Sequence, residues 1–161
     1  MKGNLEQALT NTEMTYSQLV NIANDIVGEY TKDIDNVVKD AYENINNLNN
    51  DNLRHVIITL SLKSYMFADI KEKSALKVEC AEALRKEAYA IEYNKAEGAV
   101  AARENTATIN ISDEILTESV YNLVASLFKT KMDEVHRVVD SLKTVLMSRM
   151  AEAKLAQQLD E

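Results

Sequence analysis

The sequence predicts an all-α protein: a long helical hairpin followed by a third long helix, oligomeric in its working form. Three observations predict it. The 161 residues contain no Pro and three Gly, so the chain has few of the residues that punctuate turns. Apolar side chains recur every three or four positions over runs of thirty residues and more. Hydrophobic residues make up 46% of the chain, which sets it apart from a disordered acidic tail. The length fits one helical domain over residues 1–161.

The first helix is expected over about 12–48. Leu19, Ala23, Ile26, Tyr30, Ile34, Val37, Ala41, Ile45 and Leu48 follow one another in steps of three and four. Their mean step of about 3.6 residues keeps them on one helical face. Thr10 and Glu13 have the spacing of a capping box at its start. Gly28 falls inside the pattern, where it allows a bend or a close approach and costs about 1 kcal/mol relative to Ala.

The Asn-rich stretch 46–52 breaks the pattern. Asn and Asp bond their own backbone in competition with the helix, and they cap the helix that follows. A tight connection makes the first two helices antiparallel neighbours. The second helix is expected over about 53–97. It is strongly apolar at first, with Leu53, Val56, Ile57, Leu60, Met66, Phe67 and Ile70. Its later apolar positions are thinner: Val78, Ala81, Leu84, Ala88 and Ile91.

Gly98 is a natural stop for that helix. Residues 98–110 read as a loop, with a faint strand-like alternation at Thr106, Thr108, Ile109 and Ile111. The third helix is expected over about 112–151. Ser112 stands as its N-cap, and Asp113 and Glu114 lie in the first turn, where the helix dipole favours them. The last ten residues are expected to fray. Two-sided apolar pairs such as Val37-Val38 and Val138-Val139 give these helices more apolar face than one chain covers, hence the expected homo-oligomer.

Net charge is −8, and the first fifty residues carry three basic and eight acidic side chains. No segment is a basic tail, which disfavours a simple polyelectrolyte grip on nucleic acid. Two stretches are mildly basic. One runs from Lys63 to Lys77 and includes Lys71 and Lys73; the other runs from Lys129 to Arg149 and includes Lys143. Each reads either as a cationic face or as ordinary helix surface. Tyr89 and Tyr93 are one turn apart, with Arg85 one turn before them. Such rings either stack bases of a single strand or seal a helix seam.

The single cysteine, Cys80, makes no intramolecular disulfide and reads as a small, partly packed helix residue. Of the two histidines, His136 follows Asp133 at metal-ligand spacing while His55 has Asn52 at that place, so one half-motif stands alone and no metal is expected. Neither a nucleophile elbow nor a phosphate-binding glycine loop is present. The expectation is a protein without enzymatic activity or cofactor. The first ten residues lack a signal-like apolar core, and Val56-Ile57-Ile58 is too short to span a bilayer. The expected location is therefore the cytoplasm, the host's if the source is a virus.

One further pattern concerns order along the chain. A helix bearing Lys71-x-Lys73-x3-Lys77, Glu79 and an Ala-rich run leads to Gly98, and the last helix ends in Ser141-Leu142-Lys143-x4-Ser148-Arg149. Over residues 65–155 this resembles phage recombination mediators of the UvsY type. The resemblance implies a small helical protein that forms rings, binds single-stranded DNA, and loads a recombinase onto DNA covered by single-strand-binding protein. It implies Lys71, Lys73, Lys77, Lys143 and Arg149 as phosphate contacts; Arg85, Tyr89 and Tyr93 are further candidates from the spacing of rings and cation noted above. The other open reading is a virion structural or assembly protein, or a helical adaptor, with no nucleic-acid role.

Overall fold

A computed structural model describes the backbone of residues 2–159 and the side chains of residues 11–158. The protein is all-α. Four helices follow one another: α1 (Lys2–Asn44), α2 (Asn50–Lys95), α3 (Val100–Asn110) and α4 (Ser112–Leu159).

Two compact units are formed. One comprises residues 1–28 and 71–128, the other residues 29–70 and 129–161. In the second unit, Ile34 and Ala41 of α1 bury their side chains with Leu53, Leu60 and Phe67 of α2 and with Val135, Val139 and Leu142 of α4. In the first unit, the buried set is Ala23 and Val27 of α1, Ala81 of α2, Ala107 of α3, Ile111, and Val124 and Phe128 of α4. The predicted face of α1 is the buried one, except that Tyr30 stays exposed.

The helix boundaries differ from the expected ones in instructive ways. α1 runs through Thr10, so Thr10 and Glu13 do not form a cap. The connection 45–49 is as tight as its Asn content suggests. Asn49 is the N-cap of α2: its side-chain oxygen accepts the Asn52 N–H at 2.8 Å. α2 ends at Lys95, close to Gly98, whose φ of 105° explains the glycine.

Residues 100–110 form helix α3, not a loop. The threonines that suggested a strand return their hydroxyls to the helix. Thr106 donates to the Ala102 carbonyl at 3.0 Å and Thr108 to the Glu104 carbonyl at 2.9 Å. Ala107 and Ile111, one turn apart, are both buried and fasten α3 to its unit. Only Ile111 separates α3 from α4. Its carbonyl accepts the Ile115 N–H at 3.1 Å, so Ile111, not Ser112, stands at the cap position, and Ser112 is the first residue of α4. Asp113 and Glu114 do occupy the first turn. α4 continues to Leu159, beyond the expected end at 151.

Lys131 of α4 joins α1 within the second unit. Its ammonium lies 2.7 Å from Asp35 and 3.3 Å from Glu134. Burial pulls its pKa down, but the two carboxylates outweigh burial and hold it above the ordinary lysine value. A raised folded value means that the contribution is complete below the unfolded pKa of about 10.4 and is lost as pH rises through the folded one.

Three outcomes are expected from urea denaturation. Gly28→Ala gains about 0.5–1 kcal/mol, because an added Cβ meets nothing within 4 Å in a helix interior. Gly98→Ala loses about 1–2 kcal/mol, because an L side chain resists that positive φ. Lys131→Met loses about 0.5–1 kcal/mol at neutral pH, and its deficit shrinks as pH rises through the raised folded pKa of Lys131. A deficit that stays constant with pH would show that the ammonium charge is not what stabilises the contact.

Candidate nucleic-acid interface

On α2 in the first unit, Lys71, Lys73 and Lys77 are all exposed. A helix turns by about 100° per residue, so Lys71 and Lys73 point some 200° apart while Lys73 and Lys77 share a side. Lys77 lies 5.8 Å from the Tyr121 ring centroid, a cation over an aromatic face supplied by α4. Tyr121 was not among the residues expected from the sequence; its neighbour across the helix pair is visible only in the fold.

Tyr89 and Tyr93 do stack, with ring centroids 6.1 Å apart and planes 21° from parallel. They lie roughly 120–160° around α2 from Lys77, so one straight strand cannot touch both features at once. Arg103 of α3 sits 4.2 Å from the Tyr93 ring centroid. The same guanidinium donates to the Tyr93 carbonyl at 3.0 and 3.2 Å. The pair thus helps seal α3 to α2, and Arg103, like Tyr121, is a residue that sequence reasoning missed.

Arg85 donates from Nε to the Glu118 carboxylate on α4, across the same unit. Two acidic groups near them on α2 are matched. Glu82 is held below the ordinary carboxylate range by a hydrogen bond from Lys86 and by its charge. Glu92 is held down by hydrogen bonds from Lys95 and Asn110, at 2.7 and 2.8 Å. The Asn110 contact ties the end of α3 back to α2.

In the second unit, Lys143 is exposed and pairs with Asp140 at 3.3 Å. Arg149 has a different task from the phosphate contact implied for it. It reaches the connection 45–49 and donates to the Leu48 carbonyl at 2.6 Å and the Ile45 carbonyl at 2.9 Å. One guanidinium thus braces the turn from α1 to α2 at both of its ends, and it places a cation near the negative end of the α1 dipole. His136 lies 3.0 Å from the hydroxyl of buried Ser64, while Asp133 is exposed. Among the described residues no three His, Cys, Asp or Glu side chains gather as a metal site. Cys80 is exposed instead of partly packed.

An apolar groove of about 540 Å³ in this unit is lined by Val38, Tyr42, Ile45, Val138 and Leu142. It carries few polar groups and no pair of carboxylates placed for acid–base work. Among the described residues no helix is long and apolar enough to cross a membrane. Compared with known proteins, the chain matches no family model, no curated protein and no solved structure.

Arg149→Ala is expected to destabilise the protein by about 1.5–3 kcal/mol, the cost of losing charge-assisted bonds to two carbonyls of the connection. Arg149→Lys should recover only part of that loss, since one ammonium cannot reproduce the forked geometry. The measurement is the urea midpoint; a wild-type midpoint for Arg149→Ala would remove the bracing role.

Proposed function

We propose that this chain is an oligomeric recombination mediator of the phage UvsY type, which binds single-stranded DNA and assists the loading of a recombinase. The observation that carries the reading is the pairing of two surfaces on one stretch of α2. Large apolar side chains stay exposed there, Leu76 at 58% and Leu84 at 61%, beside exposed lysines. Apolar faces of that kind seek another helix, and lysines at the flank of the resulting assembly sum over its subunits. The net charge of −8 then matters less than the local field along a repeated lysine edge. Recombinase and single-strand-binding protein are the partners this role requires, and the host cytoplasm is where it would operate.

A second reading has its own support. Four of the five arginines, Arg54, Arg85, Arg103 and Arg149, direct their guanidinium groups at this chain: at Asp51, Glu118, the Tyr93 carbonyl and the Leu48 carbonyl. A protein that turns most of its arginines to its own groups and is acidic overall suits contacts with proteins. That reading is a virion assembly protein or helical adaptor without nucleic-acid binding.

Labelled single-stranded oligonucleotide separates the two. Under the mediator reading, binding weakens as salt rises. Lys77→Ala removes one phosphate contact and lowers the salt slope by about 0.7, with severalfold weaker binding at low salt. Absence of binding at low salt by an intact oligomer would leave the adaptor reading in its place.

A further inference from the structure

We infer that the apolar groove between α1 and α4 in the second unit receives an amphipathic helix of a partner protein, with a carboxylate of that helix set against Arg137. The inference rests on the protein contacts that both readings above require, and it names where they fall. α1 and α4 run parallel here: Lys131 pairs with Asp35 at one end, and Arg149 reaches Ile45 at the other. Val37, Asn44 and Leu48 of α1 line a cleft with His55 and Val56 of α2. Val38, Tyr42 and Ile45 lie about 100° further round α1. They line the groove with Val138 and Leu142 of α4, and no described residue of α2 takes part. The apolar pairs of the sequence divide accordingly. Val37 turns to α2 while Val38 turns to the groove, and Val139 is buried in the unit while Val138 lines the groove. The groove is thus a second apolar face that this unit leaves uncovered.

Its α1 wall, from Val38 to Ile45, is about 10 Å long, or two turns of helix. A helix docks in such a groove through apolar side chains three and four residues apart. Tyr42 stands in the wall 84% exposed, a residue type enriched at interfaces. Charge says what else the helix must carry. Arg137 borders the α4 side, and its guanidinium, unlike those of the other four arginines, bonds no described group of this chain. The carboxylates near it are engaged elsewhere: Asp35 and Glu134 with Lys131, Asp140 with Lys143. Asp133, one turn before Arg137, forms no ion pair with it. Lys39 borders the α1 side, its ammonium 3.9 Å from Glu43 in an exposed pair that contributes little. An acidic chain therefore sets two cations at the mouth of an apolar groove, and a carboxylate-bearing amphipathic helix complements them. A second copy laid groove to groove would bring the cations of one against those of the other.

The test uses the full-length protein and two fluorescein-labelled synthetic peptides, read by anisotropy. Both are amphipathic helices with leucines three and four residues apart. One carries a glutamate beside the leucine stripe, the other a lysine at the same place. The acidic peptide should bind, and the basic one about tenfold more weakly. Arg137→Glu should weaken the acidic peptide by about tenfold and strengthen the basic one. Arg137 is exposed, so this variant should keep the wild-type urea midpoint. Tyr42→Ala should weaken both peptides alike; unchanged affinity would place them outside the groove and overturn the site. Failure of the acidic peptide to bind, or equal binding of the two, would also overturn it. So would an Arg137→Glu variant that binds both peptides as wild type does. Self-association that rises with concentration and excludes the acidic peptide would give the groove to a second copy, against the inference. Single-stranded oligonucleotide distinguishes this failure from that of the mediator reading. Oligonucleotide bound without the acidic peptide strikes out the groove alone, and the acidic peptide bound without oligonucleotide strikes out the mediator alone.

Discussion

Long, unbroken helices set the terms for this molecule. α2 and α4 have 46 and 48 residues, and each contributes to both units. A helix of that length offers apolar positions all along its cylinder, and neighbouring helices of the same chain cover only one side of it. α2 shows the consequence within each unit. Leu53, Leu60 and Phe67 are buried in one, where Ile58, Leu62 and Tyr65 stay exposed. Ala81 is buried in the other, where Leu76 and Leu84 stay exposed. Burial at seven-residue spacing is a narrow seam, and a narrow seam leaves the remaining apolar side chains to water or to a partner.

The polar interactions follow from the same constraint. Each helix end must satisfy carbonyls or N–H groups that have no partner within the helix. Asn49 answers this at the start of α2 with its own side chain, and Arg149 braces the connection after α1 from the far part of α4. Arg103 does similar work where α2 gives way to α3, bonding the Tyr93 carbonyl while covering the ring. These cations hold turns in place. Their positions explain how a chain with 18 basic side chains presents comparatively few of them as an arginine surface.

The all-α class was legible in the sequence because it depends on local spacing, and so were the Asn-rich connection and the stop at Gly98. The face of α1 was legible for the same reason. What failed were readings in which local pattern and tertiary anchoring disagree. Residues 98–110 looked loop-like because Thr is a poor helix former, yet the threonines back-bond and Ala107 and Ile111 are pinned by burial. Met66 and Leu84 looked like core positions, but period alone cannot say which of two apolar faces a neighbour will cover. Among the candidate binding residues, Arg149 and Arg85 find partners 101 and 33 residues away in the chain, a separation that sequence pattern does not encode.

The lysine cluster shows how one helical parameter reorganises a list of candidates. Two residues apart in sequence, Lys71 and Lys73 diverge by more than half a turn. Lys77 leans over the Tyr121 ring, where an aromatic face of the same unit partly meets its charge. Lys71 lies about 120° around the helix from Lys77. What reads in the sequence as one cationic stretch is therefore a set of separate cations once the helix is built, and a ligand that collects them must reach more than one side of α2.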